Sequence, residues 1–155
     1  MQQLIAALLF VLMVDGAQAQ SKKELSFAEV QQVATGLSQL NSYTRIVKDG
    51  SQEKAVSQPY RFSVGVTVMI AQDVVALRPA LQASTDAHDA LVRQYANGGN
   101  AVPADKAADF VKDANELLKK PSGVSLPTMK LSDLQLDTNP IEPSTLVLLD
   151  PILEK

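Results

Sequence analysis

The chain has no cysteine in its 155 residues, which removes disulfides, thiolate nucleophiles, iron–sulfur clusters and most structural zinc sites together. Tryptophan is absent and aromatic residues make up only 5%, so the core has to be aliphatic and a large aromatic binding platform is not expected. Positive charge is not in excess either. The net charge is −3, whereas a nucleic-acid partner needs a basic face to displace counterions. No Gly-x-Ser-x-Gly elbow presents a nucleophile, and Gly98-Gly99 lacks the lysine and the strand-to-helix setting of a phosphate loop. There is no internal repeat, low-complexity tract or linker.

What is present begins with an apolar run, Leu4 to Val14, followed by Asp15-Gly16 and then Ala17-Gln18-Ala19. That order matches a cleavable secretory signal with the small-x-small pattern at Ala17 and Ala19 and a cut before Gln20. Residues 1–19 are thus read as signal and 20–155 as a single small α+β domain of 136 residues. Removing Asp15 with the signal leaves a net charge of −2. The run is about half of the ~20 apolar residues that a spanning helix requires, so no permanent membrane anchor is expected. The expected location is periplasmic or secreted. Met1-Gln2-Gln3 carries no lysine or arginine, however, and Met13 is the alternative start, with a cytoplasmic product.

Hydrophobic residues amount to 46%, and their spacing outlines the elements. Ser26-Phe27-Ala28-Glu29 fits a capping box, with Leu25 and Val30 as a hydrophobic staple, and Phe27, Val30, Val33, Leu37 and Leu40 continue one helical face. Tyr43 to Lys48 is rich in strand formers, and Asp49-Gly50 suits the centre of a tight turn, with a return strand through Ala55-Val56 toward Tyr60. Pro59 belongs at a strand end or edge. From Tyr60 to Ile70 strand alternation and helical spacing compete; the helical reading starts between Ser63 and Val66. Pro79 predicts a kink or break near Arg78. Leu77, Leu81, Ser84, His88, Leu91 and Tyr95 then keep a three-four rhythm up to Gly98-Gly99-Asn100. A partner helix opens at Pro103 as its first residue, with Phe110, Val111, Ala114, Leu117 and Leu118 on its stripe, completing a long helical hairpin. An extended segment follows Ser122-Gly123, and Pro143 starts a short terminal helix bent by Pro151.

Candidate chemistry is sparse. A small hydrolase, the weaker alternative, is motivated only by His88 between Asp86 and Asp89, which fits a helix seam better, and no pair of carboxylates is singled out. Asp105, Asp109, Asp113 and Glu116 share one side of a helix, with Lys106, Lys112 and Lys119 nearby, and read as a solvated face rather than a calcium site. Asp133, Asp137 and Asn139 alternate without the glycine and glutamate of an EF-hand. No catalytic, cofactor-binding or metal-ligating residue is assigned, and no cofactor is expected.

Several short segments, in this order, resemble small uncharacterised proteins encoded in tailed-phage and prophage genomes. They are Tyr43-Thr44-Arg45-Ile46-Val47-Lys48-Asp49-Gly50, Gln58-Pro59-Tyr60-Arg61-Phe62, Ile70-Ala71-Gln72-Asp73 with Leu77-Arg78-Pro79, and Asn139-Pro140-Ile141-Glu142-Pro143-Ser144. The resemblance spans about Leu25 to Leu153. It implies an interaction protein without known catalytic residues, and a host-cytoplasmic location from which the apolar leader departs. The expected function is non-catalytic binding or assembly with another protein as partner.

Overall fold

The computed structural model describes residues 22–49, 52–96 and 101–154. The signal residues Ala17, Ala19 and Gln20, and Met13, lie outside the described residues. The described residues begin with strand β1 (Lys22–Ser26), which runs straight into helix α1 (Phe27–Gln39). The junction is the predicted capping box. Glu29 N–H donates to Ser26 Oγ (3.3 Å) and Ser26 N–H to Glu29 Oε2 (2.9 Å), satisfying amides that a helix start would otherwise leave open. That backbone amide, followed by the Lys23 ammonium, holds the Glu29 carboxyl below its usual range. The staple residues Leu25 and Val30 are both fully buried.

β1 was not anticipated, because Lys22-Lys23-Glu24 carries no strand signal. It exists through its partner, β4 (Pro121–Pro127), in an antiparallel ladder pairing Lys23 with Leu126 and Leu25 with Val124. The register shifts between Leu25 and Ser26. Gly123 sits opposite that irregularity with φ 75°, a conformation that costs glycine least. Ser122 Oγ donates to Leu25 O (2.6 Å) and closes the gap.

The second ladder is the expected hairpin, β2 (Ser42–Asp49) with β3 (Gln52–Pro59), paired in continuous register from Ser42↔Pro59 to Asp49↔Gln52. Asp49 is thereby the last strand residue, and the connection falls on positions 50 and 51. The expected Asp49-Gly50 turn includes Gly50, which lies outside the described residues. Pro59 ends its strand, as expected.

Between Tyr60 and Ile70 the helical alternative prevails: helix α2 spans Val64–Ala96. Ser63 opens it, accepting from Val66 N–H through Oγ (3.3 Å) and from Thr67 N–H through its carbonyl (2.9 Å). Of the kink or break expected at Pro79, the break does not occur, since α2 continues through it. Pro79 is exposed, one turn after exposed Val75. The Val75 carbonyl, which loses its helical donor, is on the side that water can reach.

α2 and helix α3 (Ala107–Lys119) form the antiparallel helical hairpin. Tyr95 meets Phe110 (5.7 Å between centroids), and Tyr95 OH donates to Asp113 Oδ2 (2.7 Å). Pro103 precedes a single 3-10 turn, Ala104–Lys106, rather than being the first helical residue. After β4, a 3-10 turn (Leu131–Leu134) leads to helix α4 (Pro143–Leu149), whose first residue is Pro143, and then to a 3-10 turn containing Pro151.

The core is aliphatic with one methionine. Leu25, Val30, Val33, Leu37 and Leu40 meet Leu77 and Ala80 of α2, together with Leu126, Met129, Leu134, Leu149 and Ile152. Gly36 marks the closest approach of α1 to α4: a Cβ placed there would lie 2.9 Å from Leu149 Cδ2. The fold is α+β, with a capped helix, a β-hairpin, a helical hairpin, an extended segment and a short terminal helix.

Candidate functional site: the free edge of the hairpin

The residues that make β2 a strand also set which backbone groups it leaves over. A two-residue connection closes on a hydrogen-bonded pair, here Asp49 with Gln52, and hydrogen-bonded and non-bonded pairs alternate along an antiparallel ladder. Tyr43, Arg45 and Val47 therefore turn their amides toward β3. Ser42, Thr44, Ile46 and Lys48 turn theirs away. Pro59 pairs with Ser42, at an outward position where a missing N–H breaks no ladder bond.

Among the described residues β2 pairs only with β3, so its outer groups form an open edge. That edge is one wall of a cleft of about 890 Å³. Ser42, Tyr43, Thr44, Arg45 and Ile46 all line it, and no β3 residue does. Five consecutive strand residues alternate between two faces, so a cavity that touches all of them adjoins the edge and not one face. The opposite wall is the segment from Leu136 to Thr145. Thr145 Oγ1 donates to Gln39 Oε1 (2.7 Å), fastening that wall to α1.

Asn139 holds the two walls apart at a set distance. It is buried, and its side chain accepts from Arg61 N–H (2.8 Å) while donating to Arg61 O (3.1 Å) and Leu134 O (2.9 Å). Arg61 is at the foot of the hairpin and Leu134 ends the preceding turn, so one amide ties three segments. The base of the cleft is aromatic: Tyr43 and Tyr60 line it with ring centroids 5.1 Å apart and planes tilted at 38°, and Tyr60 stacks in turn on Phe62 at 5.7 Å. Burial, then the Glu142 carboxylate, then Tyr43 raise the Tyr60 hydroxyl above its usual value. Asp137 and Glu142 make the far wall acidic, and Arg45 is the cation on the near wall. The cleft thus offers a backbone edge, an aromatic floor and an acidic rim. Those features suit an extended polypeptide.

Of the residues singled out by sequence, Asp137 lines the cleft and Asn139 ties its segments together; the others lie elsewhere. His88 is exposed on α2, its ring centroid 5.8 Å from that of Phe110 in an edge-on arrangement and its Nδ1 3.8 Å from Asp89 Oδ1. Asp86 instead accepts from Gln82 (2.8 Å). The acidic stripe of α3 is dispersed among separate partners, since Asp113 takes Tyr95 and Glu116 pairs with Lys119 at 3.0 Å. Asp133 accepts from Lys130 N–H (3.1 Å). Among the described residues no three His, Asp or Glu side chains are grouped to hold a metal ion.

Two features escaped the sequence reading. Asn139 was read only as part of a turn and of the Asp133, Asp137 and Asn139 alternation, because nothing local shows where its amide points. Asp73 had a signal, a carboxylate on the apolar stripe of α2. It is 3% exposed, its Oδ2 has no hydrogen-bond partner among the described residues, and burial pushes its carboxyl up to about 6. α2 itself is long and apolar enough to cross a membrane by length and composition, an 18-residue stretch of it having a mean hydropathy of 1.5. Here Leu77, Ala80 and Ser84 on one side of it are buried within the fold.

Comparison with protein-family models, with curated proteins and with solved structures finds no match. The cleft therefore has to be interpreted from its own geometry.

Proposed function

We propose that this chain is a non-catalytic binding or assembly protein that receives a protein partner at the outer edge of β2. The observation that carries the proposal is the state of the hairpin. β2 and β3 are almost wholly exposed, with Ile46 at 65% and Val47 at 38%. An isolated two-stranded sheet is marginal in water, and a long bare edge is a template for another strand. Folded proteins normally shorten, charge or cover such an edge; here it opens onto a cleft. Main-chain bonds from Ser42, Thr44 and Ile46 would supply affinity, and the cleft walls would select side chains.

Export through the amino-terminal signal remains part of the proposal, with the Met13 product and a cytoplasmic phage-type assembly role as the other form. Amino-terminal mass determination of the natural protein separates the two.

The binding proposal is tested with a random library of extended peptides. Bound peptides are expected to shift the amide resonances of Ser42, Thr44 and Ile46. Thr44→Pro removes an outward N–H without touching the β2–β3 ladder and should abolish binding, whereas Ser57→Pro, its counterpart on the β3 edge, should not. Binding that ignores Thr44→Pro, or no binding at all, refutes the proposal.

A further inference from the structure

We infer that the groove between α1 and α2 is a second binding site, taking a free single-chain carboxylate whose head pairs with Arg78 and whose alkyl tail lies along α2. It is distinct from the cleft at β2: of the residues lining the two, only Tyr60 is common to both. The groove follows from the sequence of α2. Thr67, Ile70, Val74, Arg78 and Leu81 recur every three or four residues and so form one stripe along about four turns, on the order of 20 Å. Leu37 and Leu40 of α1, with Phe62, complete the apolar walls. The space measures about 700 Å³ and most of its lining is apolar, as in sites for small molecules. It is open to solvent, since Val75 on its rim is 59% exposed.

Charge selects the occupant. Arg78 is the only charged residue that lines the groove. Its neighbours one turn away on α2 are Val74, Val75, Leu81 and Gln82, so no carboxylate stands at the spacing of an intrahelical ion pair. Among the described residues Arg78 forms no ion pair elsewhere. A bare cation near one end of an apolar trough is complementary to an anion that carries an alkyl chain. A carboxylate matches the guanidinium fork with two parallel hydrogen bonds. From Arg78 back to Thr67 the stripe runs about 16 Å, and the lining there carries no further charge. An extended polypeptide fits less well, because its backbone N–H and C=O groups would need partners. Both walls are helices, which have no strand edge to offer. An alkyl chain asks for no hydrogen bonds and gains from every methylene it buries.

The test is calorimetric titration of the full chain with hexanoate, decanoate and dodecanoate below their micellar concentrations. Saturable binding at one site per chain is expected, tightening about three- to fourfold for each added methylene. Dodecyltrimethylammonium, with the same tail and the opposite charge, should bind about tenfold more weakly than dodecanoate. Arg78→Gln should weaken dodecanoate by about tenfold and abolish the preference between the two heads. Ala71→Phe fills the path of the tail and should weaken dodecanoate more than hexanoate. Arg78 and Ala71 are both exposed, so the circular dichroism spectrum of each variant should match that of the parent. Thr44→Pro should leave dodecanoate binding unchanged, which keeps failure at this groove distinguishable from failure at the β2 edge. Equal affinity for the two head charges overturns the inference, as do affinities indifferent to chain length or dodecanoate binding that survives Arg78→Gln. Capture by anionic phospholipid vesicles without uptake of dissolved dodecanoate would make the groove a membrane-facing surface and overturn it too.

Discussion

The protein contains two antiparallel ladders that differ in what surrounds them. In the β1–β4 ladder Leu25 and Leu126 are buried beneath the helices, although most of β1 is charged and has little strand propensity. In the β2–β3 ladder Tyr43, Thr44, Ile46 and Val47 of β2 are good strand formers in unbroken register with β3, yet almost every residue of the two strands is exposed. Strand propensity and burial have been uncoupled. The first ladder is held by the core, and the second has only its hydrogen bonds and its foot. A strand's stability thus comes from what covers it, while a strand left bare is available for another chain.

The contrast is broken most directly by truncating one apolar side chain in each ladder. Leu25→Ala should destabilise the fold by about 2–5 kcal/mol, because it leaves a cavity in a core that cannot fully collapse; chemical denaturation measures it. The next effect concerns Asp73, on the helix face that packs toward β4. Burial raises its pKa from 3.8 to about 6, so its folded form disfavours ionisation. The stability it leaves intact below about pH 4 is lost as the pH rises through about 6. Asp73→Asn should therefore stabilise the protein by up to about 3 kcal/mol at pH 7 and by little at pH 3.5, a difference that thermal melts at the two pH values resolve. Equal stabilisation at both would assign the effect to packing.

Asn139→Ala tests the foot of the exposed ladder. Loss of three hydrogen bonds should cost about 2 kcal/mol and should broaden the amide resonances of the hairpin more than those of β1 and β4. Ser26→Ala removes the cap at the end of the buried ladder and should cost about 1 kcal/mol. The smallest effect sharpens the comparison most: Ile46→Ala should change stability by no more than about 0.5 kcal/mol. A large loss would mean that Ile46 already supports the fold.

Much of the architecture could be recognised before the structure was known, and the reason is range. The Ser26–Glu29 box, the Leu25–Val30 staple, the hairpin, the α2–α3 pair and the start of α4 at Pro143 all depend on groups a few residues apart or on the period of one helix. The errors came where a longer-range partner or solvent decided. Pro79 does not end α2, because its side of the helix faces water, and β1 is a strand because β4 lies beside it. Of the candidate site, only the strand signal of Tyr43–Lys48 was legible. The cleft itself joins residues near 43 to residues near 140, and no local pattern reports such a meeting.

By itself the sequence determined the local conformations, the aliphatic character of the core and the absence of cysteine chemistry, since these follow from side-chain identity and short-range spacing. Only the tertiary structure decided which ladder is covered, that the Asn139 amide ties the hairpin to the carboxy-terminal segment, and that the β2 edge opens onto a cleft. The physical reason is that burial and long-range hydrogen bonds belong to the packed arrangement of elements and to no single element within it.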